Sequence, residues 1–179
     1  MFDDFAACAE RLIERGVATS DTLAIRGGSN GGLLTAAVML QRPDLFGAVV
    51  SQVPVADMLR YQLFTAGRYW TVEYGNAIED PDAFDWLIRY SPYHRAFEAE
   101  PSALPPLLIT TAETDDRVVP MHSLKLAAAL QHAAGGNSEQ PLLVRVETRA
   151  GHGMGKPTSK LIEESADIFG FILHHCRSE

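Results

Sequence analysis

The sequence predicts an α/β fold in which a mostly parallel sheet is covered by helices on both sides. Short apolar runs, bounded by polar or glycine residues, alternate along the chain with longer segments of helical periodicity. Strands that alternate with helices in this way form parallel sheets, because each helix returns the chain to the start of the next strand. The 179 residues and the hydrophobic fraction of 46% suffice for one domain with a substantial core, which we expect to comprise residues 1–179.

The first part of the chain predicts two helices and two strands. Apolar residues in segment 2–13 recur at helical spacing and the pattern stops near Gly16, as in an amphipathic helix that ends at a glycine. Segment 22–25 is short and apolar and leads into a glycine cluster, which is typical of a buried parallel strand. A helix over 31–40 and a second strand over 48–50 follow.

A long segment, 54–106, separates the second strand from the third. It is rich in Tyr, Trp, Arg and Asp and contains one predicted helix over 84–90. Such insertions often build substrate pockets, but the packing of surface helices explains this one equally well. Beyond it we predict strands over 107–110 and 142–146 and helices over 123–131 and 160–173.

Composition narrows the class of function and the compartment. A formal net charge of −8 argues against nucleic-acid or anionic-membrane binding, since both require clustered Lys and Arg. Cys8 and Cys176 have no metal-ligand spacing and suggest no disulfide framework, so we expect no metal or cofactor and favour the cytoplasm. No apolar run approaches a membrane span. A periplasmic or secreted location is the alternative if a signal precedes Met1.

The strongest local motif is a G-x-S-x-G pattern centred on Ser29. It stands between a predicted strand and a predicted helix, where a tight turn would project the serine hydroxyl out of the sheet. The small neighbours Gly27 and Gly31 allow such a turn and close packing of the helix behind it. In that geometry the backbone N–H of Asn30 would point toward a developing oxyanion.

A serine nucleophile needs a general base and a carboxylate that orients the base, and the chain supplies both in order. Asp115 and Asp116 follow the third predicted strand, and His152 follows the fourth, flanked by glycines. The order Ser, Asp, His at the carboxyl ends of strands is that of the α/β-hydrolase fold. Spacing does not separate Asp115 from Asp116, and His122 competes with His152 for the role of base.

Four segments together resemble the prolyl oligopeptidase family: 27–34 (GGSNGGLL), 41–47 (QRPDLFG), 115–120 (DDRVVP) and 150–153 (AGHG). The resemblance implies that Ser29 is the nucleophile, Asp115 the acid and His152 the base. It implies further that the chain holds the C-terminal portion of a catalytic α/β-hydrolase domain. On this resemblance, the β-propeller and the first strands, with a tyrosine that acts as second oxyanion donor, would lie outside the chain.

The resemblance also implies roles for residues outside the triad. Trp70 and Tyr74 match aromatic residues that line a proline pocket, which Val118 and the Asn30 side chain would complete. Arg117 matches an arginine that binds a substrate carbonyl, and a surface salt bridge with Asp116 is the alternative.

The expected function is hydrolysis of short peptides on the carboxyl side of proline through an acyl-enzyme. A related acylaminoacyl or dipeptidyl peptidase or an esterase is the alternative within enzymes. A non-catalytic fragment is the alternative from another class. We expect the strand over 22–25 to form a bare sheet edge through which copies of the chain associate as a homo-oligomer.

Overall fold

The structure is a computed structural model that describes residues 1–135, 140–153 and 156–176. Its strands are β1 (Ala24–Gly28), β2 (Ala48–Gln52), β3 (Leu107–Ala112) and β4 (Leu142–Glu147). Its helices are α1 (Phe2–Glu14), α2 (Asn30–Gln41), α3 (Thr71–Tyr74), α4 (Pro81–Tyr90), α5 (Pro92–Arg95), α6 (Met121–Ala133) and α7 (Thr158–His175). The strands pair in parallel in the order β1-β2-β3-β4, so their carboxyl ends meet at one edge of the sheet.

Local sequence explains where some helices begin. Helix α4 follows Asp80, whose carboxylate accepts the backbone N–H of Asp82 at 2.9 Å, and it has Pro81 in its first turn. A capping carboxylate and an early proline both favour a helix start. Asp3 and Asp4 in the first turn of α1 complement the positive end of the helix dipole.

The first strand begins later than the sequence predicts. Ser20–Thr22 form a 3₁₀ turn, which the N–H of Thr19 closes by donating to Thr22 Oγ1 at 2.9 Å. The predicted strand over 22–25 is therefore displaced along the chain, and the observed strand β1 continues through Gly28. Gly27 and Gly28, which follow the predicted strand, are thus part of β1, since they pair with Ser51 and Gln52 of β2.

Helices cover both faces of the sheet, as predicted. Helices α2 and α6 pack on one face, with α1 against α2, around a core that includes Val49, Leu107 and Leu126. Helix α7 covers the other face, where Ile168 and Phe171 join the apolar residues of β2 and β3. Strand β3 is buried along its whole length, which explains its nearly continuous apolar sequence.

The long segment between β2 and β3 forms a second apolar cluster beside the start of α2. Tyr61 and Leu87 from the segment are fully buried there against Leu33 of α2 and Val118. Trp70 packs against the same cluster. The segment therefore builds a wall at the carboxyl edge of the sheet, where parallel sheets place their ligand sites.

Strand β1 lies at one edge of the sheet. Within the described ranges it pairs with β2 alone, which agrees with the edge that the sequence predicts. The Arg26 guanidinium of β1 stands 5.6 Å from the ring centroid of Phe169 on α7. Three large apolar side chains of α7 are more than half exposed, at 64% for Ile162, 53% for Phe169 and 70% for Leu173. This end of the sheet thus exposes both backbone groups and apolar surface.

Candidate active site

Ser29 occupies the turn between β1 and α2 and has a strained backbone. Its φ of 60° and ψ of −117° lie in a region that non-glycine residues rarely adopt. The turn is held because the Ser29 N–H donates to the carbonyl of Gln52 in β2 at 2.9 Å. This is the strand-turn-helix geometry in which a nucleophilic serine is presented above a sheet.

Close packing around the turn explains two of its glycines. A Cβ on Gly27 would lie 2.2 Å from the carbonyl oxygen of Gly31, and one on Gly32 would lie 2.5 Å from the carbonyl oxygen of Gln52. Both contacts are with backbone, which cannot move aside. The glycines therefore let α2 start directly against the ends of β1 and β2 and so place Ser29 at the helix start.

Asp115 and His152 form a hydrogen-bonded pair above the ends of β3 and β4. Asp115 Oδ2 is 2.7 Å from His152 Nδ1, and the carboxylate side chain is fully buried. Its other oxygen, Oδ1, accepts the backbone N–H groups of Arg117 at 3.0 Å and Val118 at 2.9 Å. The carboxylate is thus fixed on both sides and leaves Nε2 of the imidazole free for a proton transfer.

Asp116 and His122, the alternatives for the acid and the base, lie away from the Asp115–His152 pair. Asp116 is exposed and lines a separate cavity with Tyr69, so Asp115 is the aspartate that meets His152. His122 is 2% exposed, and its Nδ1 accepts the backbone N–H of Asp57 at 3.1 Å. Burial lowers the pKa of His122 to about 4. This histidine is engaged inside the fold and does not line either cavity that borders Ser29.

Ser29 borders two cavities. The first, of about 340 Å³, is shared with His152 and extends over the ends of β2 and β3. The second, of about 200 Å³, is lined by Asn30, Trp70, Tyr74 and Arg117 together with Val55 and Glu73. Among the described residues, the hydroxyl of Ser29 has no hydrogen bond to the His152 ring. The two side chains border the same cavity.

Aromatic side chains form one wall of the smaller cavity. The rings of Trp70 and Tyr61 stack with centroids 6.3 Å apart and an angle of 15° between planes. Burial, with a smaller contribution from Glu73, raises the pKa of Tyr74 to about 12, so its phenol remains a donor. That phenol donates to Asn30 Oδ1 at 2.7 Å. The interaction links the wall to the residue that follows the serine.

The structure places one predicted pocket residue behind the cavity beside Ser29 and places two other residues in the cavity lining. Val118 is 1% exposed and belongs to the apolar cluster behind the cavity, so it supports the wall and does not line the space beside Ser29. Val55 and Glu73 line that space instead, and sequence reasoning missed both. Val55 follows the end of β2, a position that parallel-sheet geometry alone could have suggested. No salt bridge joins Arg117 to Asp116 in the described part of the chain.

Neither a metal-binding cluster nor a membrane-spanning helix occurs within residues 1–135, 140–153 and 156–176. No group of three His, Cys, Asp or Glu side chains there is placed to hold a metal ion. No helix there is long and apolar enough to cross a membrane.

Comparison with known proteins gives concordant results. A family model described as the prolyl oligopeptidase family matches residues 1–179. The prolyl endopeptidase of Dictyostelium discoideum is 47% identical over 171 residues, which cover 96% of this chain and 22% of that protein. The prolyl endopeptidase of Elizabethkingia meningoseptica is 41% identical over 174 residues, or 97% of this chain and 24% of that protein. The chain thus spans about a quarter of the length of these relatives.

A solved structure extends the likeness to three dimensions. Prolyl oligopeptidase B from Galerina marginata, bound to a 35mer hydrolysis and macrocyclization substrate, superposes with a TM-score of 0.90 at 41% identity. The match covers 99% of this chain and 24% of that one. It confirms the predicted partial α/β-hydrolase fold, a parallel sheet flanked by helices. With a family model over its whole length and relatives above 40% identity, the chain belongs to the prolyl oligopeptidase family.

Proposed function

We propose that residues 1–179 form the C-terminal portion of a serine peptidase catalytic domain that hydrolyses short peptides on the carboxyl side of proline. The observation that carries the proposal is the Asp115–His152 pair, 2.7 Å apart, on a cavity that Ser29 borders from a strained turn. Family membership supports the same chemistry, since the relatives named above are prolyl endopeptidases.

In the proposed reaction Ser29 Oγ attacks the scissile carbonyl carbon while its proton passes to His152. The resulting imidazolium is stabilised and oriented by Asp115 and gives the proton to the departing amine, which leaves an ester on Ser29. Water then attacks the ester, its proton moves to His152 and back to Ser29 Oγ, and the acid product leaves. The proton that leaves with the amine is thus replaced by one from water, so Ser29 and His152 end the cycle in their starting protonation states.

The start of α2 supplies one oxyanion donor in this proposal. The backbone N–H of Asn30 is among the first of the helix, and these N–H groups have no intrahelical acceptor. The positive end of the helix dipole lies at the same place. Both features favour negative charge beside Ser29 when the tetrahedral intermediate forms.

The smaller cavity is the proposed proline pocket. Trp70 offers a flat face against which a pyrrolidine ring can stack, and Tyr74 closes the wall through its bond to Asn30. Arg117, exposed at the mouth of the cavity, would bind the carbonyl of the preceding substrate residue through its guanidinium. An acylaminoacyl or dipeptidyl peptidase or an esterase would use the same triad with a different pocket occupant.

The test compares the complete polypeptide as it is expressed with its Ser29→Ala and Ser165→Ala variants on an N-blocked Gly-Pro anilide. Ser165 lines the same cavity as Ser29 but lies on α7, so it serves as the matched control. We expect Ser29→Ala alone to abolish release of the anilide and labelling by a fluorophosphonate. Equal activity of the Ser29→Ala variant would refute the assignment. A parent that cleaves Gly-Ala and Gly-Pro anilides equally well would favour the alternative peptidases.

We further propose that the chain, taken by itself, self-associates through β1 and acts in the cytoplasm. The support for association is the one-sided pairing of β1 and the exposed apolar side chains of α7 beside it. Support for the cytoplasm is limited to the two free cysteines, Cys8 and Cys176. A monomer at all concentrations in a light-scattering dilution series would refute the association.

A further inference from the structure

The segment that carries His152 has contacts on both sides of the histidine, besides the hydrogen bond of His152 to Asp115. It joins β4 to α7 and contains two residues with positive φ, Arg149 at 54° and Gly153 at 127°. Gly153 is exposed, and a Cβ on it would meet nothing within 4 Å. Nδ1 of His152 itself pairs with Asp115 Oδ2 at 2.7 Å, and the residues on either side of the histidine make further contacts.

The upstream side is fixed by Thr114, which follows β3. The carbonyl of Ala150 accepts both the N–H and the Oγ1 hydroxyl of Thr114, at 3.2 and 2.8 Å. Ala150 itself is 7% exposed. These bonds hold the chain just before His152 against the residues that follow β3.

The downstream side is fixed by a nearly buried ion pair. Lys156 Nζ lies 2.7 Å from Glu164 Oε2 on α7 and 3.8 Å from Glu147 Oε2 at the end of β4. The Lys156 side chain is only 6% exposed, and that of Glu164 is 18% exposed. A lysine so placed loses most of its hydration and depends on these carboxylates.

Glu147 is already engaged by other cations, so Glu164 is the main partner of Lys156. The Glu147 carboxylate accepts Lys160 Nζ at 2.9 Å and an Arg145 nitrogen at 3.1 Å. Lys156 is the cation of this network that also lines the cavity bordered by Ser29. It thus connects the network on α7 with the space in which the reaction would occur.

We propose that Lys156 is a positioning residue, whose ion pair with Glu164 anchors the chain at Lys156, downstream of the histidine, so that His152 stays over the Ser29 cavity. The inference rests on the proposed peptidase function. It assigns Lys156 no contact with substrate and no proton transfer. Its effect is on the fraction of time during which the imidazole is aligned with the serine.

The expected consequence is a loss of kcat with little change in KM. Lys156→Met, which keeps the length of the side chain but removes the charge, should lower kcat by about 10- to 100-fold, as small displacements of catalytic groups do. Glu164→Gln should show a smaller loss in the same parameter. Lys156→Arg should restore most of the activity, because a guanidinium can reach the same carboxylate.

The matched control is Asp167→Asn, one turn further along α7. It breaks the ion pair between Asp167 and Arg145 Nε, 2.7 Å apart, without touching the His152 segment. Asp167 is 59% exposed, so this pair contributes little to stability. We expect kcat and KM of this variant to equal those of the parent.

A second readout does not depend on catalysis. Hydrogen-deuterium exchange of peptides covering the segment between β4 and α7 should be faster in Lys156→Met than in the parent and unchanged in Lys156→Arg and Asp167→Asn. Parent-like exchange and kcat in Lys156→Met would overturn the inference while leaving the proposed function intact. Parent-like activity of Ser29→Ala would instead refute the proposed function, and the exchange data would still test the ion pair. If Lys156→Met does not fold, Glu164→Gln decides between these outcomes.

Discussion

Acidification should destabilise the folded chain through His122, the buried histidine of α6. Its side chain is 2% exposed and lies edge-on to the Phe64 ring, with centroids 5.4 Å apart. Nδ1 accepts the N–H of Asp57, which requires the nitrogen to be unprotonated. Burial, opposed by nearby Asp57 and assisted by Lys125, lowers the pKa of His122 to about 4.

The size of the effect follows from the difference between the folded and unfolded states. In the unfolded chain the ring titrates near its ordinary value of 6.5, and in the folded chain near 4. Between these values the unfolded state binds more protons, so the free energy of unfolding falls as the pH falls. Over this window the loss is about 3 kcal/mol, and it levels off below about pH 4.

Asp57 acts in a separate and lower window. Burial alone would raise the pKa of Asp57, but Lys125 and Arg60 hold it below its ordinary value of 3.8. Its contribution is therefore present above that value and is lost only as the pH falls further. The loss between about pH 6.5 and 4 belongs to the histidines whose pKa burial lowers, which are His122, His94 and His175.

Urea denaturation of the parent and His122→Asn between about pH 7 and pH 4 tests this reasoning. The Asn Oδ1 atom can accept the Asp57 N–H in place of Nδ1, and it does not titrate. We expect the parent to lose about 3 kcal/mol more than the variant across the window. Since His94 and His175 are present in both proteins, their contributions cancel in the comparison. Equal slopes of stability against pH would refute the assignment to His122.

Three other substitutions test the geometry of the site. Gly32→Ala should lower the free energy of unfolding by about 1–3 kcal/mol, because the new Cβ would stand 2.5 Å from the backbone oxygen of Gln52. Gly170→Ala is the control and should not lower it, because a Cβ there would meet nothing within 4 Å. Equal melting temperatures of the two variants would contradict this expectation. Trp70→Ala should slow turnover of proline substrates far more than acylation by a small phosphonate, and equal losses would indicate a role in the fold. Asp115→Asn should lower kcat by about 10⁴-fold with the fold retained by circular dichroism, and a parent-like kcat would exclude Asp115 as the orienting acid.

Local patterns in the sequence determined the elements of the fold. Buried parallel strands and amphipathic helices have distinct apolar periods, so the four strands and the main helices could be predicted along the chain. The turn at Ser29 was also predictable, because glycine spacing between a strand and a helix is a local property. The start of β1 was not predictable, since residues Ser20–Thr22 form a 3₁₀ turn that a side-chain bond at Thr22 closes, and the strand predicted over 22–25 begins only at Ala24.

Tertiary structure decided every choice that depends on distance between remote residues. Asp115 and Asp116 are equivalent in sequence, but the chain turns after β3 so that one carboxylate is buried against His152 and the other faces solvent. His122 is not available as the general base, because it is buried on α6 and its Nδ1 accepts the N–H of Asp57, 65 positions away in the sequence. The spacing of residues along the chain also does not predict the ion pair between Lys156 and Glu164 of α7. Such contacts form only when separate elements pack together, so hydrophobic periodicity and motif spacing do not predict them.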